Sequence, residues 1–306
     1  MRAIIAGGTG FIGQALVVAL RDAGWDIVVL SRSPGKVAEV FGHGVIGMRW
    51  DGSGWLELLG PDTAVVNLAG ENIAAGRWTG EVKRRILESR VNAGRSLVKA
   101  VGEASAKPGV FVQASAVGYY GPRGNDPVDE GAESGSGYLA EVCRAWEASS
   151  AEVEAMGVRR VVVRTGMVLG HGGALARMLP PFRYFLGGPP GSGYQGVSWV
   201  HLEDEVGAIR FLMENKEARG AYNLTAPTPV RFRKFARILG QTLGRPYRLN
   251  APAFALRLLF GEMADEVLLS GQLALPTRLT EAGYVFRHPD LEETLADLLA
   301  VARPTV

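Results

Sequence analysis

Residues 1–20 read MRAIIAGGTGFIGQALVVAL, and the glycines at 7, 10 and 13 stand between a short apolar run and a helical one. Arg2 to Ala6 reads as a strand, and turn-forming residues follow it directly. Phe11, Ile12, Leu16 and Leu20 then recur at helical spacing. The order is strand, glycine turn, helix.

That unit opens a longer rhythm. Strand candidates at 2–6, 26–31, 45–49, 63–68, 109–114 and 159–165 alternate with helical candidates near 12–23, 34–41, 79–104 and 138–156. Such alternation is expected when helices cover both faces of a parallel sheet, so the fold class predicted is α/β, a Rossmann-type doubly wound parallel sheet with a smaller α/β substrate-binding lobe. A chain of 306 residues, 47% hydrophobic, can bury one large core and a smaller appended one.

Composition narrows the partners. Thirty-three Lys and Arg against thirty-one Asp and Glu leave a formal charge of +2, and the basic residues are dispersed, so neither nucleic acid nor an acidic membrane is expected. No apolar run reaches the ~18 residues of a membrane helix, and no leader pattern precedes the first strand; the expectation is a cytoplasmic monomer or homodimer. Cys143 is the only cysteine, which excludes an intrachain disulfide and cysteine-rich zinc sites, and four scattered histidines suggest no metal set.

The glycines acquire meaning from their place after the first strand and at the start of its helix, with a second strand ending about 20 residues later at Leu30. In the Rossmann reading Gly7 permits the tight turn, Gly10 lets backbone approach a pyrophosphate, and Gly13 allows close helix-to-sheet packing. Thr9, Phe11 and Ile12 complete the helix start that would meet the phosphates. The second strand, DIVVLSRS, ends in Ser31 and Arg32 where a carboxylate would hold the ribose hydroxyls of NAD. An arginine there pairs instead with a 2′-phosphate, which favours NADP.

Two further strand ends should open into the same crevice. AVVNLAGENI places Leu68, Ala69 and Gly70 where backbone passes close to a flat ligand, and FVQASAVGYYG releases Ser115, Tyr119 and Tyr120 into a glycine-flanked loop. Arg164, ending the sixth strand, either binds an anionic group or pins a loop through a carboxylate. His201 borders the pocket or is hydrogen-bonded structure.

The phrases NLAGENIAAGRWT, KRRILESRVNAGRSLV, ASAVGYYG, YLAEVCRAWE, VVRTGMVLG, GSGYQGVSWVHLEDEV and AYNLTAP resemble the extended short-chain dehydrogenase/reductase superfamily, whose fingerprint is here GGTGFIG. They resemble most its atypical group of epimerase family proteins. The resemblance implies an NADP-binding Rossmann domain mainly over 1–165, with 195–225 returning to it. The substrate lobe is expected over 166–194 and 226–306, including a C-terminal unit at about 247–296.

The resemblance also implies a catalytic tyrosine, a lysine four residues later and a serine or threonine, with the lysine lowering the phenol pKa. Tyr138 stands in the tyrosine's place, yet Val142 stands in the lysine's. Arg90 or Lys83 from the preceding helix are candidates to approach the ribose. The serine position falls on Ala116, with Ser115 one residue before it; Ser115 and Tyr120 join Tyr138 as catalytic candidates, and Tyr120 is also a candidate pocket wall.

Asp204 resembles the aspartate that caps the next helix and braces the lobes. Tyr119, Tyr120, Trp199 and Leu202 suggest an apolar cleft, and Pro276, Arg278 and Leu279 are further lining candidates. PTPVRFRKFARILGQTLG reads as a basic amphipathic helix whose Phe232, Phe235, Ile238 and Leu239 follow a core pattern. No separate phosphate cradle for a second nucleotide is evident. The functional expectation is an NADP-dependent oxidoreductase or epimerase-like enzyme acting on a carbonyl or alcohol of an unknown small molecule. The alternative is a non-catalytic NADP-binding protein that has lost the proton relay.

Overall fold

A computed structural model describes residues 1–300 apart from positions 53, 75 and 125, so the last residues of the expected 226–306 segment lie outside the description. The large sheet contains β1 (Arg2–Ala6), β2 (Asp26–Ser31), β3 (Val45–Arg49), β4 (Thr63–Asn67), β5 (Val110–Ala116), β6 (Arg159–Thr165) and β7 (Gly220–Leu224). Its order is β7-β6-β5-β4-β1-β2-β3, and every pair is parallel. The order reverses beside β1, which leaves a crevice beyond the carboxyl ends of β1 and β4 where ligands bind in this architecture.

The helices are α1 (Phe11–Asp22), α2 (Gly35–Phe41), α3 (Gly80–Glu103), α4 (Tyr138–Ala148), α5 (Gly173–Arg183) and α6 (Leu202–Glu214), followed by α7 (Phe232–Leu243), α8 (Ala253–Phe260), α9 (Thr277–Glu281) and α10 (Leu291–Ala300). Side chains of successive strand residues leave opposite faces of the sheet. Ile5 and Val29 accordingly pack with Leu16 and Leu20 of α1 and Ile209 of α6, while Ile4 and Val28 pack with Leu97 and Val101 of α3. Both faces are covered, which explains why the strands read as continuous apolar runs.

The fourth helix is shorter than its sequence predicts: α4 ends at Ala148, and a separate single turn at Ala151–Val153 follows. Ser149 and Ser150 fold their hydroxyls back onto the Trp146 and Glu147 carbonyls, offering the chain a local alternative to continued helix. A second core joins Leu169, Trp199, Phe235, Leu239 and Leu295 in the smaller lobe. The chain from α8 to α9 then returns to the large sheet's side, where Leu273–Ala274 pairs with Pro127–Val128. Among the described residues, no helix is long and apolar enough to cross a membrane.

Candidate cofactor crevice and active site

The glycine turn is built for close contact. Gly7 has φ +81°, and a Cβ on it would lie 2.7 Å from the Leu68 carbonyl and 2.9 Å from the Ala69 nitrogen. A side chain there would therefore separate the exits of β1 and β4. At Gly13 a Cβ would lie 2.3 Å from the Gly7 oxygen, so α1 sits flush on the turn. Gly10 differs: its amide donates to Gly7 at 3.0 Å, and its own Cβ would meet only the Gly7 oxygen, at 3.3 Å.

Thr9 and Gly10 are exposed, and α1 begins without a side-chain cap or an acidic residue in its first turn. The amides of Phe11, Ile12 and Gly13, lacking intrahelical acceptors, face a position suited to an anion. Phe11 has a second task. Cβ atoms on Gly170, Gly172 and Gly173 would fall 2.8–3.0 Å from its ring, so the loop before α5 lies directly on it.

At the end of β2, Ser31 accepts the Ser33 amide at 3.0 Å and shapes the turn. Arg32 is left exposed, and among the described residues it has no ion pair or hydrogen bond. No carboxylate occupies this strand end.

The opposite wall is polar beneath an apolar surface. Asn67 donates to Gln113 at 3.0 Å, and its side-chain oxygen accepts the Ala69 amide at 3.2 Å, which shapes the Leu68–Gly70 exit. Arg90 reaches this exit from α3: its guanidinium carbon lies 3.0 Å from where a Gly70 Cβ would be and 4.8 Å from the Trp146 ring centroid. It donates to the Ile86 carbonyl at 3.0 Å and has no ion-pair partner among the described residues. Burial lowers its pKa, against the opposing influence of Cys143, Tyr138 and Glu71.

Tyr138 begins α4. Its hydroxyl donates to the Lys83 carbonyl at 2.5 Å, its ring meets Trp78 edge-on at 5.0 Å, and the Lys83 ammonium lies 4.5 Å above the ring centroid. Burial pushes the phenol up to about 12, with Arg90 acting in the opposite direction. Val142, four residues on, is 2% exposed within an apolar cluster with Trp78, Ile86 and Met263.

This pairing of an epimerase-type glycine turn with a tyrosine at the head of α4 agrees with family comparison. The model of the NAD dependent epimerase/dehydratase family matches residues 3–225. The chain belongs to the NAD-dependent epimerase/dehydratase family.

A domain of unknown function, DUF1731, matches 251–298 of this epimerase-family chain. The chain is 41% identical over 306 residues to the Arabidopsis thaliana epimerase family protein SDR39U1 homolog, chloroplastic, covering 98% of this chain and 87% of that protein. A crystal structure of human epimerase family protein SDR39U1 with NADPH superimposes with a TM-score of 0.87 at 34% identity, covering 98% of this chain and 99% of the human one. The Thermus thermophilus UDP-glucose 4-epimerase complex with NAD shares the fold, with a TM-score of 0.77 at 18% identity and complete coverage of both chains.

Within the epimerase-family fold, Ser115, Tyr120 and Arg164 meet in one buried network. Arg164 binds Glu147 of α4 through two bonds, at 2.9 and 3.0 Å, and Ser115 donates to the same carboxylate at 2.7 Å. A third Arg164 nitrogen donates to the Tyr120 hydroxyl at 3.1 Å, which itself donates to Asn223 at 2.7 Å. Ser115 is 3% exposed and Tyr120 is fully enclosed. Of the two readings of Arg164, the carboxylate pin is the geometry found.

Fully buried between Arg164 and Asn223, Tyr120 is a strut of this network rather than a pocket wall, and burial pushes its phenol up to about 12. Cys143, near Ser115 and Glu147, is pushed up to about 11, again by burial. The Tyr119 ring lies against the Arg164 guanidinium at 3.5 Å.

The brace and the cap are separate residues. His201, not Asp204, caps α6, accepting the Glu203 amide on Nδ1 at 3.1 Å. Asp204 accepts the amides of Arg287 and His288, each at 2.8 Å, and the Tyr284 hydroxyl at 3.0 Å, so it holds the C-terminal unit. Trp199 and Leu279 are fully buried, which removes them from the cleft lining that was expected, while Arg278 donates to the Ala221 and Arg219 carbonyls.

Glu266 carries no local signal, yet it caps α4 from the C-terminal unit, accepting the Tyr138 and Leu139 amides at 3.2 Å each. Glu262 holds the Lys83 ammonium at 2.8 Å beside it. Glu147 stands openly in YLAEVCRAWE, but its partner lies on another strand. Only a pairing test between α4 and β6 would find it.

Proposed function

We propose that this protein is an NADP(H)-dependent oxidoreductase or epimerase-like enzyme acting on a carbonyl or alcohol of a small molecule in the cytoplasm. Arg32 carries the cofactor preference: an exposed guanidinium, without an ion-pair partner among the described residues, directly follows β2, where NAD binding calls for a carboxylate. The NADPH bound by the human relative supports the same choice.

The crevice fits such a cofactor. Gly10 presents a face with room for phosphate, the unsatisfied amides at the start of α1 would hold the pyrophosphate, and Leu68 to Gly70 would pass beside its adenosine side. Bound there, the dinucleotide supplies hydride chemistry. The protein's own contribution is proton handling and charge. Tyr138 would turn its hydroxyl from the Lys83 carbonyl, a neutral acceptor, toward the substrate oxygen, and Arg90 provides the fixed positive charge that Val142 cannot.

A phenol pushed up to about 12 keeps its proton at neutral pH, so Tyr138 acts as a donor to a developing alkoxide. Arg90 then favours the phenolate that remains. Ser115, buried and donating a hydrogen bond to the Glu147 carboxylate that Arg164 also binds, acts through position rather than as a donor to substrate.

The buried Val142 and the engaged Ser115 favour one other reading, an NADP-binding protein without turnover. Calorimetric titration of nucleotide-stripped protein with NADPH and NADH tests both. Tighter NADPH binding, with Arg32→Ala losing NADPH affinity far more than NADH affinity, supports the cofactor assignment. Equal losses overturn it. Carbonyl-dependent NADPH oxidation separates the enzyme from the binding protein.

A further inference from the structure

Helix α7 carries a charge pattern that the dinucleotide crevice does not use. Its Phe235, Ile238 and Leu239 are buried in the smaller lobe's core, which turns Arg233, Lys234 and Arg237 to solvent. These three line a groove of about 750 Å³ together with Arg231 and Arg248. Among the described residues, no acidic one lines it.

On other helices several surface cations have an acidic partner: Arg84 with Glu88, Lys99 with Glu103, Arg210 with Glu214 and Arg257 with Asp265. In the groove, Arg233, Lys234, Arg237 and Arg248 are exposed and form no ion pair among the described residues. Arg233 and Arg237 stand four apart on one helix, an arrangement of like charges that destabilises a helix on its own. A chain with a formal charge of only +2 thus gathers five cations around one concavity.

Arg231 and Arg233 are also held in place. Arg233 donates to the Ser192 carbonyl at 3.1 Å and lies over the Tyr194 ring at 4.9 Å, while Arg231 donates to the Tyr194 carbonyl at 2.6 Å. Arg248 stands 5.8 Å from the Tyr247 ring centroid, and Asn250 adds a neutral polar group. Arg233, anchored through one edge, keeps other N–H donors for phosphate, and pre-positioning reduces the entropy lost on binding.

We propose that this groove binds a compact small-molecule polyanion carrying two or more phosphate groups. The site shares no lining residue with the glycine turn, Arg32, the β4 exit or Tyr138, so it is separate from the dinucleotide crevice. Its volume suits a ligand of nucleotide size. Nucleic acid is the poorer fit, because tracking a phosphate backbone requires an extended basic stripe, whereas these cations surround one concavity.

The sequence offered no second phosphate cradle because this one is assembled from separate segments, around Pro189 and Tyr194, along α7, and at Tyr247 to Asn250. None of the three has a phosphate-binding motif of its own.

The test is calorimetric titration of NADPH-saturated protein with inorganic tripolyphosphate. We expect saturable one-to-one binding, weakened about 10-fold or more by the double variant Arg233→Gln, Arg237→Gln, and unchanged by Arg84→Gln. The double variant should bind NADPH like the parent, which shows that it is folded and that the crevice is intact.

No binding of tripolyphosphate overturns the proposal, as does an equal loss in Arg84→Gln. Displacement of tripolyphosphate by a single-stranded oligonucleotide that binds far more tightly would replace a small-molecule site with a nucleic-acid one. Were the protein to bind no NADPH at all, the cofactor reading would fail, and the contrast between the double variant and the parent would still decide the groove.

Discussion

Arg164 and Glu147 face each other through two N–H···O bonds of 2.9 and 3.0 Å, with only 6% and 14% of their side chains exposed. This pair ties β6 to α4, the helix that begins with Tyr138, and it gathers Ser115 and Tyr120 around itself. Glu147→Ala would leave the guanidinium buried without its counter-charge, a change that costs about 3–5 kcal/mol. Urea unfolding should show a loss in that range. A loss below about 1 kcal/mol would mean that the pair is peripheral to folding.

Gly13→Ala should damage the fold and the cofactor site together. The new methyl would lie 2.3 Å from the Gly7 oxygen and 2.7 Å from the Gly8 Cα, and neither contact is with a flexible side chain. Overpacking against backbone costs about 1–3 kcal/mol or more and would tilt α1 away from the turn. We expect a lower Tm and weaker NADPH binding, measured by thermal unfolding and calorimetry. Normal values for both would show that the helix start can shift freely.

Tyr138→Phe removes one hydroxyl from a ring otherwise held by Trp78 and Lys83. Loss of the bond to the Lys83 carbonyl should cost about 1 kcal/mol of stability, and NADPH affinity should stay near the parent value. If Tyr138 is the proton donor, turnover with a carbonyl substrate found by screening falls by about 10²–10⁴. An unchanged rate removes Tyr138 from the mechanism. Arg90→Lys should keep more activity than Arg90→Ala, because it preserves the charge against Gly70.

Glu205 makes stability depend on pH. It is fully buried in the first turn of α6 and accepts the Thr165 hydroxyl at 2.7 Å, while its second oxygen has no partner among the described residues. Burial pushes its carboxyl from the ordinary 4.5 to about 8. A carboxyl whose pKa is raised by folding binds its proton more tightly in the native state. Its contribution is complete below 4.5 and is lost as pH rises through about 8.

Native stability from this group therefore falls across that window, by at most about 1.4 kcal/mol per pH unit. Glu205→Gln imitates the protonated acid and should abolish the slope. Denaturation series at several pH values would show the variant gaining on the parent as pH rises, and parallel curves would contradict the assignment.

Much of the fold was legible because its signals are local. The strand at Arg2–Ala6, the glycines at 7, 10 and 13, the alternation up to Thr165 and the Ser31–Arg32 strand end are each set by neighbours along the chain. Backbone sterics and apolar periodicity act at that range. The core face of α7, with Phe235, Ile238 and Leu239, was equally readable from its spacing.

The site beyond the glycine turn was not, because its partners lie far apart in sequence. Ser115 reads as a loop hydroxyl until Glu147 and Arg164 close around it, and Tyr120 reads as a wall until Asn223 accepts its hydroxyl hydrogen bond. The amides at the head of α4 gain a cap only when Glu266 arrives from the C-terminal unit. Local composition determined that this chain builds a parallel sheet with an anion-ready turn; which charges are neutralised, and which are left facing solvent, was decided by tertiary packing, since burial makes an unpaired polar group costly and selects its partner by proximity in space.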